Sequence, residues 1–545
     1  ARLREGLMYF RHRCVRVAGV EHPQRGFVGF LPAGVGAQEH GQFAVHLHQL
    51  EGDAVGRQVP GGHALLYQRV GVFGGIGGEQ QQMDPRVAGG VLGRQHRQYM
   101  GRAGRLPAVD HGIWIVFRFL IDILKRLEYN QIKSTRRWTM RRLERQDYLN
   151  WLIKWKDQQI IKVVTGVRRC GKSTLFAMYQ DYLRAQGVAP EQIIAINFEN
   201  LDFEELTDYK ALYRYVKERL LPDQMNYIFL DEVQHVADYQ KAVDSLFLLE
   251  NCDLYLTGSN GYFLSGELAT LLTGRYVELS MMPLSFREFC TGLEENSLSL
   301  NEKFERYLRV GSFPYVLRYG YGEQEAREYM YSIYNTILLH DIVRRLKVAD
   351  VNMLEAITRF VMHNIGNRTS PSTIANAMTS QGRKIDPKTV DRYLRGLTDS
   401  LLFYEARRYN IKGKKLLASM SKYYLCDVAL RSLLVRSRDS DIGHTLENVV
   451  YLELKRRYPE VYVGQYGADG EVDFVAVQDG LPVYYQVAQT TLDEQVLARE
   501  LAPLRQIRDN YPKYLLTLDE AFGEMNYDGI EKKNVLKWML GEAPA

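Results

Sequence analysis

Apolar and polar positions along this chain change their spacing repeatedly, and each change marks an expected element. The short apolar run 160–164 predicts a buried strand. From 175 to 186 the spacing turns helical, with Gly187 as the stop. A second apolar run at 193–198 completes a strand-helix-strand unit. The run 225–230 and the stretch 253–260, apolar with a small polar tip, predict two more strands, and a new helix opens across 282–289. Between 346 and 409 the spacing is helical throughout, in segments 353–365, 371–380 and 386–402. Asp386 caps the last of these, and Pro387 takes its first helical position. The tail alternates: strand 423–427, helix 444–458, then strands 461–466, 471–477 and 482–488.

Residues 1–139 show no such period. They hold eight of the chain's twelve His, no Lys before Lys125, and Gly-rich runs such as 71–78. They carry 19 of the 70 basic and 10 of the 65 acidic residues, leaving 51 basic and 55 acidic in 140–545. The formal charge of +5 therefore arises upstream of Met140, so overall charge is no argument for a nucleic-acid partner. We expect 1–139 to be an upstream extension from a start placed too early, with a genuine disordered or novel domain as the alternative. His40, His46 and His48 follow no repeating ligand spacing and are assigned no metal. The apolar stretch 113–124 is broken by Arg118 and Asp122 and is shorter than the roughly twenty residues a bilayer needs. Five Cys without a CxxC pair, and no clean signal peptide, predict a cytoplasmic protein with no membrane helix.

Candidate chemistry sits between the first strand and the first helix. In Gly166-Val167-Arg168-Arg169-Cys170-Gly171-Lys172-Ser173-Thr174, Gly166 and Gly171-Lys172-Ser173 fit G-x-x-x-x-G-K-[ST]. Such a loop frees backbone N–H groups to wrap phosphates, and the helix after it adds the positive end of its dipole. Lys172 is expected on the β- and γ-phosphates of ATP, and Ser173 on Mg²⁺. Some 60 residues on, the run 225–230 ends in Asp231 and Glu232, a Walker B pattern. Asp231 is expected to hold Mg²⁺, and Glu232 to polarise the water that attacks the γ-phosphate. Ser259 and Asn260 end the next strand as candidates for a bond to phosphate or water, against a plain turn. Arg275 is a candidate for neutralising phosphoryl charge, in cis or across a subunit boundary, against a solvated arginine.

Taken in order, GVRRCGKST, YIFLDE, LTGSN, LTGRY and PLSFREF resemble the AAA-type ATPases of bacteria and archaea that carry a C-terminal domain of unknown function. Tyr307 to Pro314 and Leu338 to Ile342 also look like segments of that family. The resemblance covers Met140 onward. It implies a P-loop NTPase core with a parallel sheet; the helical spacing of 346–409 reads as a winged-helix segment and the tail resembles an α/β restriction-endonuclease-like domain, so the expected fold class is α/β. The expected boundaries are 140–290 for the core, 291–345 for a helical lid, 346–410 for the winged helix and 411–545 for the tail.

Lys384, Lys388, Arg392 and Arg395 would let the 386–402 helix meet DNA phosphates, against packing on a neighbouring domain. The tail resembles nucleases in which a helix Glu, a strand Asp and an acidic-x-Lys bind metal and activate water. Glu447, Asp473 and Gln486 match loosely, but Ala488 stands at the lysine position, so a non-catalytic remnant is expected. The expected function is ATP binding and hydrolysis coupled to conformational change, with possible DNA or protein partners and an undetermined oligomeric state. A nucleotide-gated switch with little turnover and an ATP-dependent nuclease are the alternatives.

Overall fold

The computed structural model describes residues 143–545 apart from 260–271, 273, 294–296, 319, 418–419, 436–441, 468–469, 522–523 and 542–545. Asn260, the stretch 113–124, the three N-terminal histidines and the boundary at 139 lie outside the described residues. All described residues belong to one unit of the chain, Leu127–Ala545.

Helix α1 (Gln146–Lys154) leads into β1 (Ile161–Thr165), then α2 (Lys172–Ala185), β2 (Ile193–Asn197), α3 (Tyr209–Lys217), β3 (Asn226–Asp231), α4 (Tyr239–Phe247), β4 (Cys252–Gly258) and β5 (Tyr276–Ser280). The five strands form one sheet in the order β2-β3-β4-β1-β5, and every pairing is parallel. Every residue of β1, β3 and β4 is buried. That explains their unbroken apolar runs, because a central parallel strand is covered on both faces. Lys162 enters β1 only because Asp253 of β4 pairs with its ammonium, which also donates to the Gln158 carbonyl at 2.7 Å. Parallel pairing brings the carboxyl ends of β1, β3 and β4 to one edge of the sheet, where α/β folds place their ligands.

Helices α5 (Phe286–Gly292), α6 (Leu300–Val310) and α7 (Glu323–Asn335) follow, and α7 runs on into a π-helical turn, Thr336–Val343. Then come α8 (Val351–His363), α9 (Pro371–Ser380) and α10 (Pro387–Asp399). The Asp386 carboxylate accepts from the Lys388 and Thr389 N–H groups, the cap expected from sequence. Strand β6 (Phe403–Ala406) pairs antiparallel with β9 (Lys422–Leu425), and Thr369 makes an antiparallel bridge to Ser421. Between them β7 (Arg408–Asn410) and β8 (Lys415–Leu416) leave to join a larger sheet.

That sheet is mixed, in the order β14-β15-β13-β12-β11-β10-β7-β8. Its other strands are β10 (Glu460–Tyr466), β11 (Gly470–Gln478), β12 (Leu481–Ala488), β13 (Lys513–Thr517), β14 (Met525–Tyr527) and β15 (Ile530–Asn534). Helices α11 (Ile442–Arg457), α12 (Glu494–Gln506) and α13 (Val535–Leu540) complete the chain. Two expectations are corrected here. The region 346–409 is not helical throughout, because β6 and β7 occupy its end. The boundary at 410 also fails, since β7 belongs to the tail's sheet while β9, beyond 410, pairs back with β6.

One apolar cluster runs from Leu152 of α1, Phe176 of α2 and Phe229 of β3 through Ile337 and Leu354 to Tyr424, Tyr451 and Phe474 of the tail. The nucleotide-type core and the tail therefore share buried surface rather than hang on a linker. Among the described residues, no helix is long and apolar enough to cross a membrane.

Candidate functional site: the phosphate loop and the carboxyl ends of β1, β3 and β4

The loop leaves β1 at Gly166. A methyl group there would stand 2.2 Å from the Met281 carbonyl oxygen and 2.8 Å from Cys170 Sγ, so glycine is required. Gly171 has a φ of 110°, open to glycine and strained for other residues. Arg169 (φ 70°) and Glu232 (φ 55°) accept left-handed backbone without being glycine, and both lie at this edge of the sheet. Val167 and Cys170 are buried and anchor the loop from beneath; burial raises the Cys170 thiol and keeps it protonated. Ser173 and Thr174 follow on the first turn of α2.

Lys172 is 4% exposed. Its Nζ donates to the Gly166 carbonyl at 3.0 Å and stands 3.2 Å from Glu232 Oε1. Burial depresses this ammonium, but Glu232 and Asp231 more than offset the effect, and its pKa is raised. Glu232 shows the reciprocal effect: burial pushes it up, Lys172, Gln234 and Ser259 pull it down, and the net shift is downward. Glu232 is therefore an anion at neutral pH. Burial raises Asp231, against hydrogen bonds from Ser173 and Thr257. The Ser173 hydroxyl and Asp231 carboxylate thus lie together, and they are the hard oxygen donors that Mg²⁺ takes.

Ser259 is also at this edge. Gln234 Nε2 donates to Glu232 Oε2 at 2.5 Å and to Ser259 Oγ at 3.3 Å, which links the end of β3 to the end of β4. Thr257 is a further member that its own run concealed. Its hydroxyl donates to Asp231 Oδ1 at 2.5 Å and accepts from the Glu232 N–H at 2.8 Å, so one threonine ties the Asp231 carboxylate to the Glu232 backbone. Arg168 donates to Glu199 Oε1 at 2.6 Å, past the end of β2, and lies 3.9 Å from Asp341 Oδ1 in the π-helical turn.

Arg275 does not join them. Tyr276 pairs with Ile161 at the start of β1, whereas the phosphate loop leaves from the far end, at Thr165. Those two ends of β1 are about 13 Å apart at ~3.3 Å per strand residue. Arg275 instead pairs with Asp244 of α4 and lies over the Phe247 ring. A role in cis is excluded by this placement.

Arg145, just before α1, gave no motif signal. It is 4% exposed, donates to the Cys170 carbonyl at 3.1 Å, to the Met282 carbonyl at 2.8 Å, and grips Glu288 with two bonds of 2.8 and 2.9 Å. It thereby fastens the phosphate loop to the start of α5. Arg456 of α11 donates to the Pro283 and Leu284 carbonyls at 3.0 and 3.3 Å, so the tail grips the same segment.

The tail places Glu447, Asp473 and Gln486 around a buried group that sequence spacing missed. Lys422 of β9 lies 2.8 Å from Glu447 Oε1 and 2.7 Å from Glu471 Oε1. Tyr424 also donates to Glu447 Oε1, at 2.6 Å. Asp473 Oδ2 accepts from the Val487 N–H at 2.8 Å, and Gln486 Oε1 from the Asp473 N–H at 3.3 Å. A lysine is thus present in space although Ala488 stands on the strand, and it is already engaged by two carboxylates.

With this geometry in view, comparison with known proteins places the molecule. The AAA domain family matches residues 158–290, and a domain of unknown function (DUF8612) matches 301–441. An uncharacterised protein of Haemophilus influenzae is 37% identical over 402 residues, spanning 73% of this chain and 98% of its own. An uncharacterised protein of Methanocaldococcus jannaschii is 28% identical over 412 residues, spanning 70% and 88%. The fold and the site define an AAA-type P-loop ATPase architecture. The chain belongs to one family with the Haemophilus influenzae protein, and residues 158–290 carry its match to the AAA domain. Among solved structures, the Walker-type ATPase PABY2304 of Pyrococcus abyssi has a TM-score of 0.39 at 16% identity, covering 54% of this chain and 95% of that one. AMPPCP-bound DnaA of Aquifex aeolicus has a TM-score of 0.25 at 16% identity, covering 46% and 85%.

Proposed function

We propose that this chain binds ATP with Mg²⁺ through residues 166–174 and Asp231, hydrolyses it with Glu232, and transmits the change to its tail. The observation that carries the reading is the convergence of Lys172, Ser173, Asp231 and Glu232 at one sheet edge, with Lys172 Nζ 3.2 Å from Glu232 Oε1. The loop N–H groups and Lys172 bind and orient the phosphates. Bound Mg²⁺ would neutralise charge on the phosphate oxygens. Phosphate competes with Glu232 for the Lys172 ammonium, which leaves the carboxylate free to take a proton from water. Gln234 and Thr257 hold that carboxylate and its backbone in place while Lys172 turns to the phosphate. The segment gripped by Arg145 on one side and Arg456 on the other is the route to the tail.

DNA is the partner this reading favours. The order α8, α9, α10, β6, β9, with the Thr369–Ser421 bridge, supports a winged-helix assignment. Lys384, Lys388, Arg392 and Arg395 are all exposed, although Arg395 is partly engaged by Asp391 at 2.9 Å. A protein partner on this face is the competing reading. In the tail, the engaged ammonium of Lys422 supports a non-catalytic role, because a divalent cation would have to displace it from Glu447 and Glu471. A cytoplasmic location accords with the unpaired cysteines Cys170, Cys252, Cys290 and Cys426.

The test is phosphate release by the full chain with Mg²⁺ and ATP, with and without duplex DNA. Turnover that rises with DNA, with the DNA left uncut, is expected. Tight ATP binding without turnover in either condition would favour the nucleotide switch instead, and cutting would restore the nuclease reading.

A further inference from the structure

The hairpin of β7 and β8 has no part in the chemistry above. From Arg407 to Leu417 it carries Arg407, Arg408, Lys412, Lys414 and Lys415 and no acidic residue. The Leu417 N–H donates to the Arg408 carbonyl at 2.9 Å and closes the hairpin, and the Gly413 N–H donates to Asn410 Oδ1 at 2.6 Å inside the turn. Arg407, Lys412, Lys414 and Lys415 are exposed, and the three lysines have no carboxylate partner among the described residues. On the other side of the same sheet lysines are paired: Lys513 lies 3.5 Å from Asp509, Lys532 2.9 Å from Asp519 and Lys533 3.0 Å from Glu531. The hairpin tip is thus a concentration of uncompensated positive charge.

Lysines on an edge strand can serve to stop sheets from pairing edge to edge. That explanation covers Lys415, which belongs to β8, but Lys412 and Lys414 stand in the turn, outside every paired position. Lys414 also holds a φ of 48°, a left-handed backbone that glycine would adopt without strain. The hairpin is fixed to the tail: β7 pairs with β10 at Val463, Gly464 and Gln465, and the Ile411 N–H donates to the Gln465 carbonyl at 2.9 Å. Its root lies beside α10. Lys388, Asp391, Arg392 and Arg395 follow one another at helical spacing along one stripe of that helix. Tyr423, paired with Glu405 where β6 and β9 open into the hairpin, has its phenol raised by burial and then by the Glu405 and Asp391 carboxylates, so the stripe runs past this root.

We propose that the tail is a DNA-holding element, and that Lys412, Lys414, Lys415 and Arg407 of its β7–β8 hairpin grip the phosphate backbone of a duplex that also lies against α10. The proposal rests on the DNA reading of α10 and goes beyond it by giving the tail a task of its own. The contact is independent of sequence: ammonium groups neutralise phosphates and release their counterions, and no base edge is read. Duplex DNA carries one charge per about 1.7 Å of its axis, a density that meets several of these side chains at once. Because β7 and β8 belong to the tail's sheet while β6 and β9 belong to the helical segment, a duplex lying on both surfaces bridges the two and holds them in one arrangement.

The experiment measures binding of a mixed-sequence DNA duplex to the full chain over a range of salt concentrations. Each phosphate contact contributes about 0.9 to the slope of log affinity against log salt, so the triple variant Lys412→Gln, Lys414→Gln, Lys415→Gln is expected to flatten that slope by about 2–3 and to weaken binding about tenfold or more. Circular dichroism should be unchanged, since the three side chains are exposed. Replacing the same three lysines by arginine, which keeps the charge, should retain the wild-type slope. A glutamine variant with the wild-type affinity and slope, while Lys388→Gln with Arg392→Gln lowers both, would overturn the hairpin contact and leave the α10 reading standing. Wild-type protein that binds no duplex at low salt would remove the α10 reading and the hairpin contact together.

Discussion

Glu232→Gln is expected to keep wild-type affinity for ATP and to release phosphate about 10²–10⁴ times more slowly, the range spanned by general-base catalysis. The carboxylate is pulled below its ordinary range by Lys172, Gln234 and Ser259 despite its burial, so at neutral pH it is anionic and able to accept a proton. The amide has the same shape and can still meet Gln234, but it cannot take the proton. Binding should survive because Lys172, the main cationic contact for phosphate, is untouched; losing its partner carboxylate frees it further. Single-turnover phosphate release alongside ATP titration separates the two effects. Hydrolysis at the wild-type rate would remove Glu232 from the chemistry and strengthen the switch reading.

Lys422→Met is expected to destabilise the chain by about 3–5 kcal/mol, the cost of removing one partner from a buried ion pair. Its ammonium is raised: burial lowers it, and the carboxylates of Glu447, Asp473 and Glu471 outweigh burial. Burial raises Glu447, but Lys422, His444 and Tyr424 bring it below its ordinary range. The sign follows from these directions. A depressed carboxylate stabilises above its unfolded pKa of ~4.3 and loses that contribution as pH falls through the folded value. A raised lysine stabilises below its unfolded value of ~10.4 and loses that contribution as pH rises through the folded one. The pair is therefore intact at neutral pH. Asp473 runs the other way, raised chiefly by burial and then by Glu447. Without Lys422, burial and like charge should push Glu447 up as well, so acid should partly rescue the variant. Urea unfolding followed at pH 7 and pH 5 checks this: the midpoint loss should be larger at pH 7. An equal loss at both values would mean that Lys422 acts by packing alone.

The parts legible in the sequence are those whose chemistry is local. The strands β1, β3 and β4 are buried on both faces and read as apolar runs, and the loop between β1 and α2 carries its own spacing. Strand β5 escaped because it lies at a sheet edge with no fully buried residue, so Tyr276–Ser280 shows neither an apolar run nor a helical period. Strand β6 escaped because Leu401, Leu402 and Phe403 carry on the apolar rhythm of α10 past its end at Asp399. Arg275 misled for a different reason: closeness to the motifs in sequence does not say which end of a parallel strand a residue occupies. Lys422, Arg145 and Thr257 are long-range partners, set by which strands and helices pack together. Only Thr257 lay within a run already suspected. Lys422 reaches Glu447 from 25 residues away and Arg145 reaches Glu288 from 143.

Equilibrium binding of ATP to the full chain and to Lys172→Ala tests the central claim most directly. Lys172 is the buried cation that closes on Gly166 and Glu232, and its ammonium is the main point charge offered to the β- and γ-phosphates. The account predicts ATP binding by the wild-type chain and its loss in the folded variant, with unchanged circular dichroism showing that the fold survives. Equal affinity in the two proteins would contradict it.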